Sequence, residues 1–222
     1  LRTWDKPKIP KPKTNKVRKD EEIAVAVLSD IQLAKVTPEY NTEIAEERVV
    51  RYANKIVDLA NVQRHVHKVK KCAVFAVGDI IEGELIFPGQ SHLIDSSLYK
   101  QVTVDGPRIM TKFFDILLAN FDEVDVHWVI GNHGHLGGRS RKDSNADRML
   151  GKIMSMIYRD EKRIQWTIPD SENDNHWFDV ADLGENCKFF LWHGDNIRGF
   201  GGFPWYGFGK KLQGWKTLAA NG

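Results

Sequence analysis

The sequence has little cysteine, no long apolar run and no leader-like start, and each shortage removes a class of protein. Only Cys72 and Cys187 occur among 222 residues. Both lie in apolar, strand-like runs, and they read as reduced core thiols of a cytoplasmic protein rather than as a disulfide. No apolar stretch approaches the ~18–20 residues that a membrane-spanning helix needs, so no membrane partner is expected. Residues 1–20 are basic and spaced by prolines, without the apolar segment of a secretory signal. The composition is 41% hydrophobic and 28% charged, which excludes collagen-like and wholly disordered classes and suffices for one domain with a real core. No internal repeat is visible.

The net charge of +2 is unevenly spread: residues 1–19 hold eight Lys/Arg against Asp5 alone, and the remainder is net acidic. With Pro7, Pro10 and Pro12, residues 1–21 read as an extended arm. It is either a solvated linker to an upstream domain or a contact to a phosphate backbone. Residues 22–222 read as the folded domain. The first residue is Leu1, which reads as a processed chain or a piece of a longer one.

From Ile23 the pattern alternates between buried strands and amphipathic helices. Strands are expected at 23–28, 72–77, 124–130, and near 163–168, 176–182 and 187–192. Helices are expected at 42–70, 107–121 and 145–159, each with an apolar stripe at three- and four-residue steps. The β-α-β-α-β order predicts a largely parallel sheet with helices outside it.

Polar, metal-competent residues follow four of these strands. The first runs into Ser29-Asp30-Ile31-Gln32 and the second into Gly78-Asp79-Ile80-Ile81-Glu82-Gly83. The third runs into Gly131-Asn132-His133-Gly134-His135, and a late one into His193-Gly194-Asp195. Ligands bind at the carboxyl ends of strands in open α/β sheets, so these four ends should meet in one crevice. Asp30 and Asp79 are hard anionic ligands, Gln32 and Asn132 offer carboxamide oxygens, and His193 offers an imidazole nitrogen. Such a set suits two divalent ions that activate a water and clamp a phosphoryl group. His133 would stand near the leaving group as an acid or charge stabiliser.

Taken together, Asp30-Ile31-Gln32, Gly78-Asp79, Gly131-Asn132-His133-Gly134 and His193 resemble the motifs of the calcineurin-like metallophosphoesterase superfamily, over roughly residues 23–210. The resemblance implies an α/β fold in which a two-sheet β-sandwich is flanked by helices on both faces. It implies Asp79 bridging two ions, with Asp30 and Gln32 on one, Asn132 and His193 on the other, and His133 and Asp79 central to catalysis. Residues 78–90 also resemble, locally, phage and archaeal phosphoesterases and the exonuclease-bearing small subunit of archaeal family D DNA polymerase. A simple Pro88-Gly89 turn is the other reading of that stretch's end. The expected activity is phosphodiester hydrolysis, with DNA or RNA as partner and a replication or repair complex as its setting. The other readings are a small-molecule phosphomonoesterase or cyclic-nucleotide phosphodiesterase, and a non-catalytic scaffold.

Three positions depart from the family pattern. Gln32 replaces a histidine, which shifts preference towards Mn²⁺ or Mg²⁺ and away from Zn²⁺; Mn²⁺ is the expected ion, with iron and zinc as alternatives. Gly134 replaces the acid after the catalytic histidine. The closing Gly-His-x-His motif is absent, so the chain is expected to be truncated at its C-terminus. Substrate contacts are expected from His135 and from Arg139 and Arg141 in a basic loop. Others are expected from Arg198, Trp205 and Tyr206 in a glycine-rich aromatic loop suited to stacking on unpaired bases.

Overall fold

In the computed structural model, residues 21–138, 140–141, 143–169, 177–184, 187–195, 197, 199 and 204–220 are described. The basic arm, Arg139, Arg198 and most of the segment before Trp205 lie outside these residues.

Strands β1 (Glu21–Leu28), β2 (Lys68–Val77), β3 (Glu123–Val129) and β4 (Ile164–Thr167) form one sheet in the order β1-β2-β3-β4. Every pairing in it is parallel. The crossovers are α1 (Thr42–Gln63), α3 (Gly106–Asn120) and α4 (Ala146–Ile157). Two short helical segments, α2 (Leu98–Lys100) and a π turn (Gln101–Asp105), lead into α3. The helices start where the sequence supplies a cap. The Asn41 side chain accepts from the Ile44 amide at 2.9 Å, and Asn145 accepts from the Asp147 amide at 2.8 Å.

Sequential strand order with right-handed crossovers places all three crossover helices on one face of the sheet. There Ala45, Val49, Phe113, Phe114, Leu117, Leu150 and Met154 pack onto Ala26, Cys72, Val74, Val126 and Trp128. The opposite face carries Ala73, Phe75 and Val129, which meet Ala181 and Leu191. Those two come from an antiparallel hairpin of β5 (Phe178–Asp182) and β6 (Lys188–Trp192). A half-buried pair, His127 Nδ1 and Asp179 Oδ2 at 2.6 Å, ties β3 to β5 across this second interface. On the hairpin's outer side lies α5 (Trp205–Ala220). Trp215 stacks on Phe190 with ring centroids 5.2 Å apart, and Lys211 sits over Trp177 at 4.2 Å. The layers are thus helices, a four-stranded parallel sheet, a two-stranded antiparallel sheet, and a helix. Among the described residues no helix is long and apolar enough to cross a membrane.

Three sequence expectations need correction. The first helix ends at Gln63, not near Lys70, because β2 begins at Lys68 and carries Val69 into the core. Cys187 is exposed rather than a core thiol, since it sits in the β5–β6 turn; Cys72 is buried, and both are free. The aromatic segment is a helix from Trp205 onward, where its glycines suggested a loop. Burial of Trp215 against Phe190 and Trp192 outweighs the low helix propensity of Gly207, Gly209 and Gly214.

Phe114 is fully buried and meets Phe113, Tyr158 and Trp166 edge-on. Phe114→Ala should cost ~3–5 kcal/mol, read as a lower urea midpoint with an unchanged slope. A loss under 1 kcal/mol would show that this cluster is not central to the core.

Candidate metal centre

The loops after β1 and β2 run side by side. Asp30 N donates to Gly78 O (3.2 Å), Gln32 N to Asp79 O (2.9 Å), Leu33 N to Ile80 O (3.0 Å), and Glu82 N returns to Leu33 O (2.9 Å). This zipper forces an unusual backbone. Asp30, Gln32 and Asp79 all have positive φ, at 52°, 48° and 53°. Side-chain residues held there are strained, a condition that clusters at functional sites.

The loop after β3 joins through a single buried carboxylate. Asp147, at the start of α4, accepts four backbone amides: Asp79 (2.9 Å), Ile80 (3.1 Å), Ile81 (3.1 Å) and Gly131 (3.0 Å). Burial and the nearby Asp79 charge push its pKa up, against the pull of those amides, to about 6. Gly131 is required by contact: a Cβ there would overlap the Asp79 carboxylate.

The outcome is a cluster. Ligand atoms of Asp30, Asp79 and His193 all lie within 4.8 Å of one another. His193 Nδ1 is 2.9 Å from the Val77 carbonyl, and its Nε2 is 3.0 Å from Asp79 Oδ2 and 3.1 Å from Asn132 Oδ1. A backbone carbonyl on one ring nitrogen with the other facing carboxylates is how metal-binding histidines are oriented. Two carboxylates, a carboxamide oxygen and an imidazole nitrogen form a donor set that fits a divalent ion.

His133 stands beside the cluster. Its backbone N–H donates to Asp79 Oδ1 at 2.8 Å, and its Nε2 lies 3.9 Å from Asp79 Oδ2. Its Nδ1 faces Glu82, at 3.0 Å from the carbonyl and 3.1 Å from carboxylate Oε2. Glu82 is itself buried and takes a hydrogen bond on Oε1 from Gln90 Nε2 at 3.0 Å. Glu82 therefore places a buried carboxylate beside His133. The chain has no room for one at 134, where a Cβ would collide with the Asn145 side chain.

Asp30, Asp79, Asn132, His133 and His193 are thus brought together. Gln32 is adjacent, but its Oε1 accepts from Lys35 Nζ at 2.5 Å. His135 bridges to Asn145 through the backbone, and Arg141 is paired with Asp143 at 3.1 Å on the surface. Trp205 and Tyr206 are 75% and 80% exposed at the start of α5. Glu82, Gln90 and Asp147 were missed as functional candidates. Glu82 had a sequence signal, an acid three residues after Asp79. Asp147 had only the helix-start signature Asn-x-Asp, which does not reveal what the carboxylate meets.

No protein-family model matches the chain, and no curated protein matches it.

In the metal-free protein, burial pushes the His193 pKa down, but Asp79, the Val77 carbonyl and Asp30 outweigh it and raise it to about 9 from 6.5. A raised histidine contributes stability that is complete below the unfolded value and lost as pH climbs through the folded one. The metal-free protein should therefore lose thermal stability between about pH 6.5 and 9, by ~2–4 °C for each kcal/mol. His193→Gln should flatten that slope, and an unchanged slope would contradict the assignment. Asp147→Asn should destabilise by ~1–3 kcal/mol for each amide left unpaired, measured by urea unfolding; a neutral result would mean that the four amides find other partners.

Proposed function

We propose that this protein is a metal-dependent phosphoesterase of the calcineurin-like superfamily that hydrolyses phosphodiester bonds in nucleic acid. One observation carries the reading: four strand ends deliver Asp30, Asp79, Asn132 and His193 to one spot, with His133 aimed at it. Layered helices around two sheets are also what that family resemblance implies.

Asp30, Asp79, Asn132 and His193 would hold a divalent ion, with Mn²⁺ favoured by oxygen-rich donors. Such an ion supplies Lewis acidity, lowering the pKa of a water and offsetting charge on a phosphoryl group. The chain's own residues do the rest. Asp79 is 2% exposed, so its charge acts in a low-dielectric setting where electrostatic attraction is strong. Glu82 fixes His133 through Nδ1 and leaves Nε2 facing the cluster. Water oxygen attacks phosphorus as one of its protons is released to solvent, the bond to the leaving oxygen breaks, the proton on His133 Nε2 passes to that oxygen, and His133 regains a proton from solvent.

Nucleic acid as substrate is supported by the charge and aromatic distribution. Trp205 and Tyr206 present exposed rings on the helix that follows the His193 loop. Bases stack on such rings irrespective of sequence. The basic residues 1–19 offer phosphate contacts.

Cleavage of end-labelled single- and double-stranded DNA with Mn²⁺ tests the proposal. Activity should vanish with EDTA and in Asp79→Ala, and should fall by ~10²–10⁴-fold in His133→Ala. Hydrolysis of p-nitrophenyl phosphate without cleavage of DNA or RNA would instead assign a small-molecule phosphoesterase. Nucleic-acid binding that persists with neither metal nor turnover would assign a scaffold.

A further inference from the structure

The expectation of two ions rests on Gln32 serving as a ligand to one of them. In the structure that carboxamide has another occupation. Its Oε1 accepts from Lys35 Nζ at 2.5 Å, and the Lys35 amide bonds the Gln32 carbonyl at 3.0 Å. The turn 32–35 therefore folds the lysine back onto residue 32. Gln32 is held at φ 48° and Ala34 at φ 81° to make that turn. Both Gln32 and Lys35 are half-buried, so the pair is not a loose surface contact.

The surroundings are cationic. A cavity of about 440 Å³ opens beside Asp30 and Gln32, and Lys35, Tyr40, Arg48 and Tyr52 also line it. Arg48 lies over the Tyr40 ring at 5.2 Å. Asp30 is the only carboxylate on that lining. Among the described residues, His, Cys, Asp and Glu side chains gather into one group able to hold an ion, Asp30, Asp79 and His193. A second dication on the Gln32 side would meet an ammonium group and lack a second carboxylate of its own.

We infer that the centre holds one divalent ion, at Asp30, Asp79, Asn132 and His193, and that Lys35, clamped on Gln32, supplies the second positive charge. This rests on the phosphoesterase reading above and narrows it. The two ligand carboxylates neutralise one dication. Lys35 then leaves the mouth of the site positive, which an anionic phosphodiester requires. The cavity beside Lys35 and Arg48 gives room for a phosphate-bearing group next to the ion.

Metal counting on the full chain tests this without recourse to turnover. Protein stripped with chelator and desalted is titrated with MnCl₂, with bound ion measured by equilibrium dialysis and by electron paramagnetic resonance. The expected result is one tight Mn²⁺ per chain, with the spectrum of an isolated ion. Lys35→Met should keep one ion and weaken inorganic phosphate binding to the Mn²⁺-loaded protein ~tenfold. Gln32→His combined with Lys35→Met should take up a second, exchange-coupled ion. Two tight, coupled ions in the wild-type protein would overturn the inference and leave the phosphoesterase reading intact. No tight ion at all would overturn both. One ion with phosphate affinity unchanged in Lys35→Met would remove Lys35 from its assigned part.

Discussion

The Asp147 carboxylate holds the centre together. Its two oxygens take amides from the loop after β2 and from the loop after β3. Those loops have no ladder between them to fix their separation, since β2 and β3 stop pairing at Val77 and Val129. A buried carboxylate bonded to four N–H groups is a stiff node, because each bond lost would leave a dry, unpaired donor. Asp79 and Asn132 inherit their positions from it. His133 inherits its position from Asp79, through the bond from its own backbone N–H. The helix α4 is thus part of the centre through Asp147 at its start.

Strain and anchoring complement each other. Left-handed backbone at Asp30, Gln32 and Asp79 is costly for residues with a Cβ, yet it turns Asp30 and Asp79 towards one point. The cross-loop hydrogen bonds and the Asp147 node hold that backbone in place. Gly78 and Gly131 matter for a different reason: the loops approach so closely that a side chain at either position would overlap the ligand residues.

Much of this could be read from the residues. Continuous apolar runs at Ile23–Leu28 and Cys72–Val77 announced strands buried on both faces, which holds for the second but not for the first, where Val25 and Val27 are exposed; the alternation with amphipathic helices announced a parallel sheet. The Gly-Asp and Gly-Asn-His steps marked strand ends, and the cluster of Asp30, Asp79 and His193 follows from that topology. What escaped was tertiary. The helix of α5 depends on Trp215 finding Phe190 and Trp192, contacts that no local propensity encodes. The exposure of Cys187 depends on a hairpin turn at its position. Glu82 acts on His133, 51 positions away, Gln90 acts through Glu82, and Asp147 acts through backbone amides. The Lys35–Gln32 contact required the actual turn between them.

His193 is the one ligand that does not come from the parallel sheet. It follows β6, in the hairpin that packs on that sheet's other face, where His127 and Asp179 pin the two together. An ion held by Asp30, Asp79 and His193 would therefore be a clasp between the two sheets. Its affinity would be drawn partly from the docking of the hairpin, and hairpin docking would in turn be strengthened by the ion. Displacing the second layer would part His193 from Asp30 and Asp79, so the cluster exists only in the assembled molecule.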